Sequence, residues 1–232
     1  MGNTFSHSSQ IGIATAFSDL VHTDFNGELN ALCWYRNLDG DFSEVAAKLC
    51  LQGNITEVYP EDLTALQLSE KGSTARETIL NDLRLLAAFG ASPSLNLLKC
   101  YERDGEFDFL PTDVYSFHVD RSPIATDTFL CTYHGAASEI VPNAQATQKI
   151  LIPEIRAKLR ALYDGPPEGF EDFLKEHYFD LHYQAHADAA PINLGVGHLW
   201  RLAVDHPEQQ VPPCIHRAPK DKEGEYRLLL IC

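Results

Sequence analysis

The chain has 232 residues, 44% hydrophobic and 10% aromatic, enough to bury a substantial core as one large domain or two small ones. A formal charge of −15 argues against the clustered cations that a nucleic-acid backbone or an anionic membrane surface requires. It points instead to a small-molecule or cationic partner.

The first residues, Met1 to His7, lack the basic and apolar regions of a secretory leader, while Gly2 loosely fits a myristoylation pattern. The first part of the chain, 1–94, reads as mainly helical. Asp41 is placed to cap a short helix that begins Phe42-Ser43-Glu44. Over 75–89, Ile79, Leu83 and Leu86 recur at helical spacing, with Gly90 and Pro93 as stop signals.

From about residue 95 the pattern changes to short β-branched or aromatic runs separated by turns. Strands are predicted over 95–101, 114–118 and 127–133, helices over 150–163 and 169–178, and strands again over 196–204, 211–216 and 226–231. Helices first and many short strands afterwards predict one α+β domain (1–232), in which a helical layer backs a β-sandwich or barrel (95–232) with a helical insertion at about 150–178. No apolar run approaches the roughly 20 residues of a spanning helix. Cys33, Cys50, Cys100, Cys131, Cys214 and Cys232 form no CxxC pair and sit mostly among apolar residues, which predicts reduced thiols in a cytoplasm.

Two segments carry chemistry. In Phe117-His118-Val119-Asp120, an imidazole and a carboxylate two residues apart on an extended chain share a face and can grip one metal ion. About a hundred residues later, His216 follows a strand-like run and precedes a turn, where a side chain can project into a cavity. Arg227 lies among Leu228, Leu229 and Leu230, a costly place for a guanidinium unless it is paired. A dicarboxylate would satisfy its fork of donors. Two imidazoles and one carboxylate on one face of iron leave open positions for a 2-oxo acid and dioxygen. The distal carboxylate of 2-oxoglutarate would then meet Arg227.

This combination resembles the iron(II)- and 2-oxoglutarate-dependent oxygenases, whose fold is a double-stranded β-helix (a jelly roll, or cupin-like barrel). More narrowly, Phe117-His118-Val119-Asp120, Leu130-Cys131-Thr132-Tyr133-His134-Gly135 and Ile215-His216-Arg217-Ala218-Pro219, with Arg227-Leu228-Leu229-Leu230, resemble a bacterial family catalogued as a domain of unknown function, number 1826. That likeness covers roughly 95–232, and the helical first part matches more loosely. The oxygenase resemblance implies His118, Asp120 and His216 as iron ligands, Arg227 as the 2-oxoglutarate anchor, and a small-molecule substrate such as an amino acid or metabolite. Related halogenases carry a small residue in place of the carboxylate, so Asp120 implies hydroxylation or another oxidation at C–H. Thr132 and Tyr133 fall on a strand that lines the barrel in such enzymes. One of them should face inward, and Tyr133 is the preferred contact to 2-oxoglutarate.

His134, His198 and Arg217 are further candidate substrate contacts. His198 closes Gly195-Val196-Gly197-His198, which replaces a simpler Gly-Asp turn. His182 and His186 have the spacing of a helical zinc pair, but Pro191 and the Tyr-Gln-Ala between them disfavour a helix. The stretch containing His177, His182, His186 and His198 therefore reads more readily as a loop over the pocket, or as ordinary surface histidines. Three alternatives stand beside the small-molecule oxygenase: a protein or peptide hydroxylase, a non-catalytic cupin-like metal binder, and a structural β-domain with no metal.

Overall fold

The structure, a computed structural model, describes residues 8–232. The Gly2 pattern lies outside these residues. The first part contains strands β1 (Ile11–Ala14), β2 (Ala31–Trp34) and β3 (Ile55–Val58), and helices α1 (Phe17–His22), α2 (Phe42–Lys48), α3 (Pro60–Ala65) and α4 (Glu70–Phe89). Strands β4 (Ser94–Leu98), β5 (Phe117–His118), β6 (Asp127–His134), β7 (Glu139–Ile140) and β8 (Ala146–Gln148) follow. Helices α5 (Pro153–Leu162) and α6 (Phe170–Glu176) come next. The chain ends with β9 (His182–Ala185), β10 (Ile192–Asn193), β11 (Leu199–Ala203), β12 (His216–Arg217) and β13 (Arg227–Ile231).

Two curled sheets form. The larger has seven strands in the order β1-β2-β11-β6-β13-β4-β3, the smaller six in the order β10-β7-β12-β5-β9-β8. All pairs are antiparallel except β1 with β2. From β4 to β7 successive strands alternate between the sheets, and from β10 to β13 they do so again. This winding brings segments distant in sequence onto neighbouring strands.

Alternation along each strand gives the larger sheet two apolar faces. One face, with Leu97, Phe129, Cys131, Tyr133, Leu228 and Leu230, packs on the helices through Ala75, Ile79 and Leu86 of α4. The other, with Leu98, Leu130, Trp200, Leu202 and Leu229, meets Ile140 and Cys214 from the smaller sheet's side. Each fully buried Leu or Phe contributes about 1.5–3 kcal/mol over leaving it exposed. The Trp200 indole donates to the Leu194 carbonyl at 2.8 Å, so its single polar atom is satisfied. The inserted helices α5 and α6 make a separate small core with Leu110, Ile150 and Phe179.

The caps behave as their chemistry dictates. Asp41 accepts from the Glu44 amide at 2.9 Å, and Gly90 ends α4 with φ +103°. Helix α4 begins earlier than its apolar stripe implies, because Ser69 caps it by accepting from the Gly72 amide.

The mainly helical reading of 1–94 needs correction, since β1, β2 and β3 lie within it and extend the larger sheet at both edges. Four-residue strands are too short to show a clear period, and β2 is buried on both faces, so its residues do not alternate in polarity. The strand expected over 211–216 is also shorter, with only His216 and Arg217 in the ladder.

Candidate metal centre

β5 and β12 are adjacent in the smaller sheet, and His118 and His216 are direct register partners across them. Cross-strand partners point to the same side, and the two rings stand with centroids 4.5 Å apart. Asp120, two residues after His118, completes the group. Its Oδ1 is 4.0 Å from His118 Nε2, and its Oδ2 is 3.6 Å from His216 Nε2. One ligand atom from each of the three lies within 4.8 Å of the others, the only such group of His, Cys, Asp or Glu found among the described residues.

Each imidazole is oriented through its other nitrogen. His118 Nδ1 lies 2.8 Å from the Ser116 carbonyl, and His216 Nδ1 lies 3.1 Å from the Cys214 carbonyl. A carbonyl only accepts, so each Nδ1 carries a proton and each Nε2 is turned toward Asp120. Thr128, on the facing β6, donates to Asp120 Oδ2 at 2.5 Å. The backbone around Asp120 is fixed by amide donation from Asp205 to its carbonyl at 2.9 Å. Next to it, Arg121 is tied to Asp180 and Asp205.

Burial, and then the neighbouring His216, push His118 down to about 4. Burial would raise the Asp120 carboxyl, but His216, the Thr128 hydroxyl and His118 together outweigh it and hold Asp120 below its ordinary value. Two imidazoles and one carboxylate, each held by a neighbouring carbonyl or hydroxyl, are a donor set fit for a divalent cation. With 36% of its side-chain surface exposed, Asp120 leaves the group reachable.

Arg227 is 9% exposed on β13, and shares with Leu229 the face turned toward the smaller sheet. Its Nη2 donates to Ser138 at 3.2 Å and its side chain also bonds Tyr101, while its buried Nε has no partner among the described residues. The buried or half-buried Arg36, Arg121, Arg201 and Arg217 each hold a carboxylate. Arg227 has none within 4.0 Å among the described residues, although burial works against its charge. Gly135, at φ +84°, permits the close turn beside it: a Cβ there would meet the Tyr226 carbonyl at 2.5 Å and Arg227 Cγ at 3.0 Å.

The inward residue of the pair on β6 is Thr132, not the preferred Tyr133. Tyr133 points into the helical layer, where it stacks on Phe42 and donates to Asp82 at 2.6 Å. Asp82 also takes a bidentate bond from Arg36 at 2.7 and 2.8 Å. Thr132 is 1% exposed, and its hydroxyl is buried without a partner among the described residues.

The remaining candidates scatter. Arg217 is held by Glu139 at 2.7 Å and lies over the Phe117 ring. His134 packs on Tyr226. His198 stacks on Tyr35, and its Nδ1 accepts from the Arg36 amide. His177 stacks on Phe179, and His186 bonds Thr147.

The histidines of 177–198 therefore do not gather into a second metal site. His182 belongs to strand β9, so three residues of extended chain separate it from His186. His182 is instead buried beside His118, its register partner. A buried histidine next to the site was missed because β9 exists only through its pairing with β5 and β8.

Among the described residues, no helix is long and apolar enough to cross a membrane. The family model described as "Protein of unknown function (DUF1826)" matches residues 17–232, taking in the helical first part as well as the β-rich remainder. No curated protein and no solved structure matches the chain.

Proposed function

We propose that this chain, which belongs to the family described as Protein of unknown function (DUF1826), is an iron(II)- and 2-oxoglutarate-dependent oxygenase that oxidises a C–H bond of a small molecule. The observation that carries this reading is the joint presence of a two-histidine, one-carboxylate group and a buried arginine without a carboxylate, on facing sheets. A protein that only stored or sensed a metal has no use for such an arginine.

The strand order supports a double-stranded β-helix. β4, β13, β6 and β11 form one four-stranded face, and β10, β7, β12 and β5 form the other. The outer strands β1, β2, β3, β8 and β9 then extend that core.

In this reading His118, Asp120 and His216 hold iron(II), which when bound supplies oxygen activation coupled to decarboxylation of 2-oxoglutarate to succinate. Arg227 receives the distal carboxylate of 2-oxoglutarate, and its unpartnered Nε and the Thr132 hydroxyl are available to that ligand. Ser116, Cys214 and Thr128 keep the ligating atoms aimed. The apolar layer between the sheets excludes water.

Succinate release tests the proposal. Purified chain supplied with Fe(II), 2-oxoglutarate and oxygen should form succinate, and His216→Ala should not. Equal succinate from both proteins would remove the reading.

A further inference from the structure

The ladder that pairs His216 with His118 continues outward. His118 pairs with His182 of β9, and their ring centroids are 5.9 Å apart. Gln148 of β8 pairs with Tyr183, which brings the next residue, Lys149, beside His182. His216, His118 and His182 thus form one row across the smaller sheet, beginning at the candidate metal ligands, and Lys149, the first residue after β8, lies at its end.

Among the described residues, neither His182 nor Lys149 has a carboxylate within 4.0 Å, and Asp113 and Asp104 act on Lys149 and His182 only from farther off. His182 is 5% exposed, and its buried Nδ1 has no hydrogen-bond partner among the described residues. The half-buried Lys149 ammonium donates to neutral oxygens only, Ser116 Oγ at 2.7 Å and the Pro111 carbonyl at 3.3 Å. Asp104 and Asp113 are the nearby carboxylates, but both are engaged elsewhere. Asp104 accepts from Thr112 and the Glu106 amide, and Asp113 from the Tyr115 and Asp104 amides. Ser116 couples the row to the site: its hydroxyl holds Lys149 and its carbonyl holds His118 Nδ1.

A partly desolvated cation beside an orphaned ring nitrogen is costly unless a ligand completes both. We propose that Lys149 and His182 form an anion subsite that binds a carboxylate of the substrate to be oxidised, next to the metal centre. The inference rests on the metal reading given above and narrows the substrate class to acids. The strongly negative net charge sharpens the point, because an acidic substrate needs a local cation to enter.

The test is NMR of imidazole nitrogens in the full chain, with and without Zn(II), titrated with acetate and with acetamide as the neutral isostere. Acetate should shift the His182 signals saturably, and acetamide should not. Lys149→Met should weaken acetate binding about tenfold or more, the loss of one charge-assisted bond. Lys149→Arg should restore it, and Arg227→Met should leave it unchanged. The proposal is overturned if His182 does not respond, if acetamide acts equally, if Lys149→Met binds acetate as wild type does, or if the response disappears in Arg227→Met. Zinc-induced shifts of His118 and His216 report separately: their absence alongside a retained acetate response would remove the metal centre and leave the anion subsite standing.

Discussion

His216 faces His118 across a ladder of the smaller sheet, rings 4.5 Å apart, although the two are far apart in sequence. A pair built on two hydrogen-bonded strands needs no loop to hold it, and Asp120 joins it from the end of one of them. Sites carried on strands are positioned more tightly than sites on loops. The ligand group should therefore exist before any metal binds.

Metal affinity follows from that preorganisation. Wild type should bind one Zn(II) per chain in competition with a chromophoric chelator, and Asp120→Ala or His216→Ala should abolish stoichiometric binding. Thr128→Val removes only the hydroxyl that orients Asp120 Oδ2 and should weaken the metal about 10–100-fold. Unchanged affinity in His216→Ala would refute the shared site.

Arg227 should separate metal from co-substrate. Arg227→Met is expected to leave Zn(II) affinity intact while weakening 2-oxoglutarate by roughly 30-fold or more, from the about 2–5 kcal/mol that truncating one partner of a buried charge pair costs. Calorimetric titration of 2-oxoglutarate into metal-loaded protein reads both. Arg227→Lys should recover little, since an ammonium lacks the planar fork.

Neighbours on β6 should have opposite phenotypes. Tyr133→Phe is expected to cost about 1–2 kcal/mol in denaturant unfolding, through the bond lost at Asp82, with 2-oxoglutarate binding unchanged. Asp82→Ala strips the buried Arg36 of its partner and should cost about 3–5 kcal/mol. Thr132→Val should be nearly neutral in stability yet weaken 2-oxoglutarate, because its hydroxyl has no partner among the described residues.

The contrast at Thr132 and Tyr133 marks where sequence reasoning stops. Alternation says that one of two neighbours faces inward, but which one depends on the face of β6 that the helices cover. That face is settled by the stripe Ala75, Ile79 and Leu86, which also carries Asp82 into the core. A carboxylate on an apolar stripe was a readable signal that this helix face meets a buried cation.

The gathering of His118, Asp120 and His216 and the burial of Arg227 were legible, because metal-ligating types at that spacing and a lone guanidinium among leucines are costly without partners. β1, β2, β3 and the row through His182 were not, because short strands are defined by their partners rather than by their own pattern. The extent of β5 and β12, two residues each, was equally beyond a local reading.

Acid should loosen the helical layer through Glu44. The Lys48 ammonium first, then the Ser69 hydroxyl and amide, pull this carboxyl down to about 2 from an ordinary 4.5. The folded state therefore favours the ionised form, and the stabilisation is complete above pH 4.5 and lost as the pH falls toward 2. The melting temperature of wild type should exceed that of Glu44→Gln by a constant amount near neutrality, and the gap should close across that window. A gap that widens on acidification would contradict the assignment.

Visible absorption of the anaerobic protein with Fe(II) and 2-oxoglutarate reads the central claim most directly. Wild type should develop a weak charge-transfer band on addition of 2-oxoglutarate, a band absent in His216→Ala and shifted to higher co-substrate concentration in Arg227→Met. A wild-type spectrum indifferent to 2-oxoglutarate, at Fe(II) concentrations that saturate the protein, would contradict it.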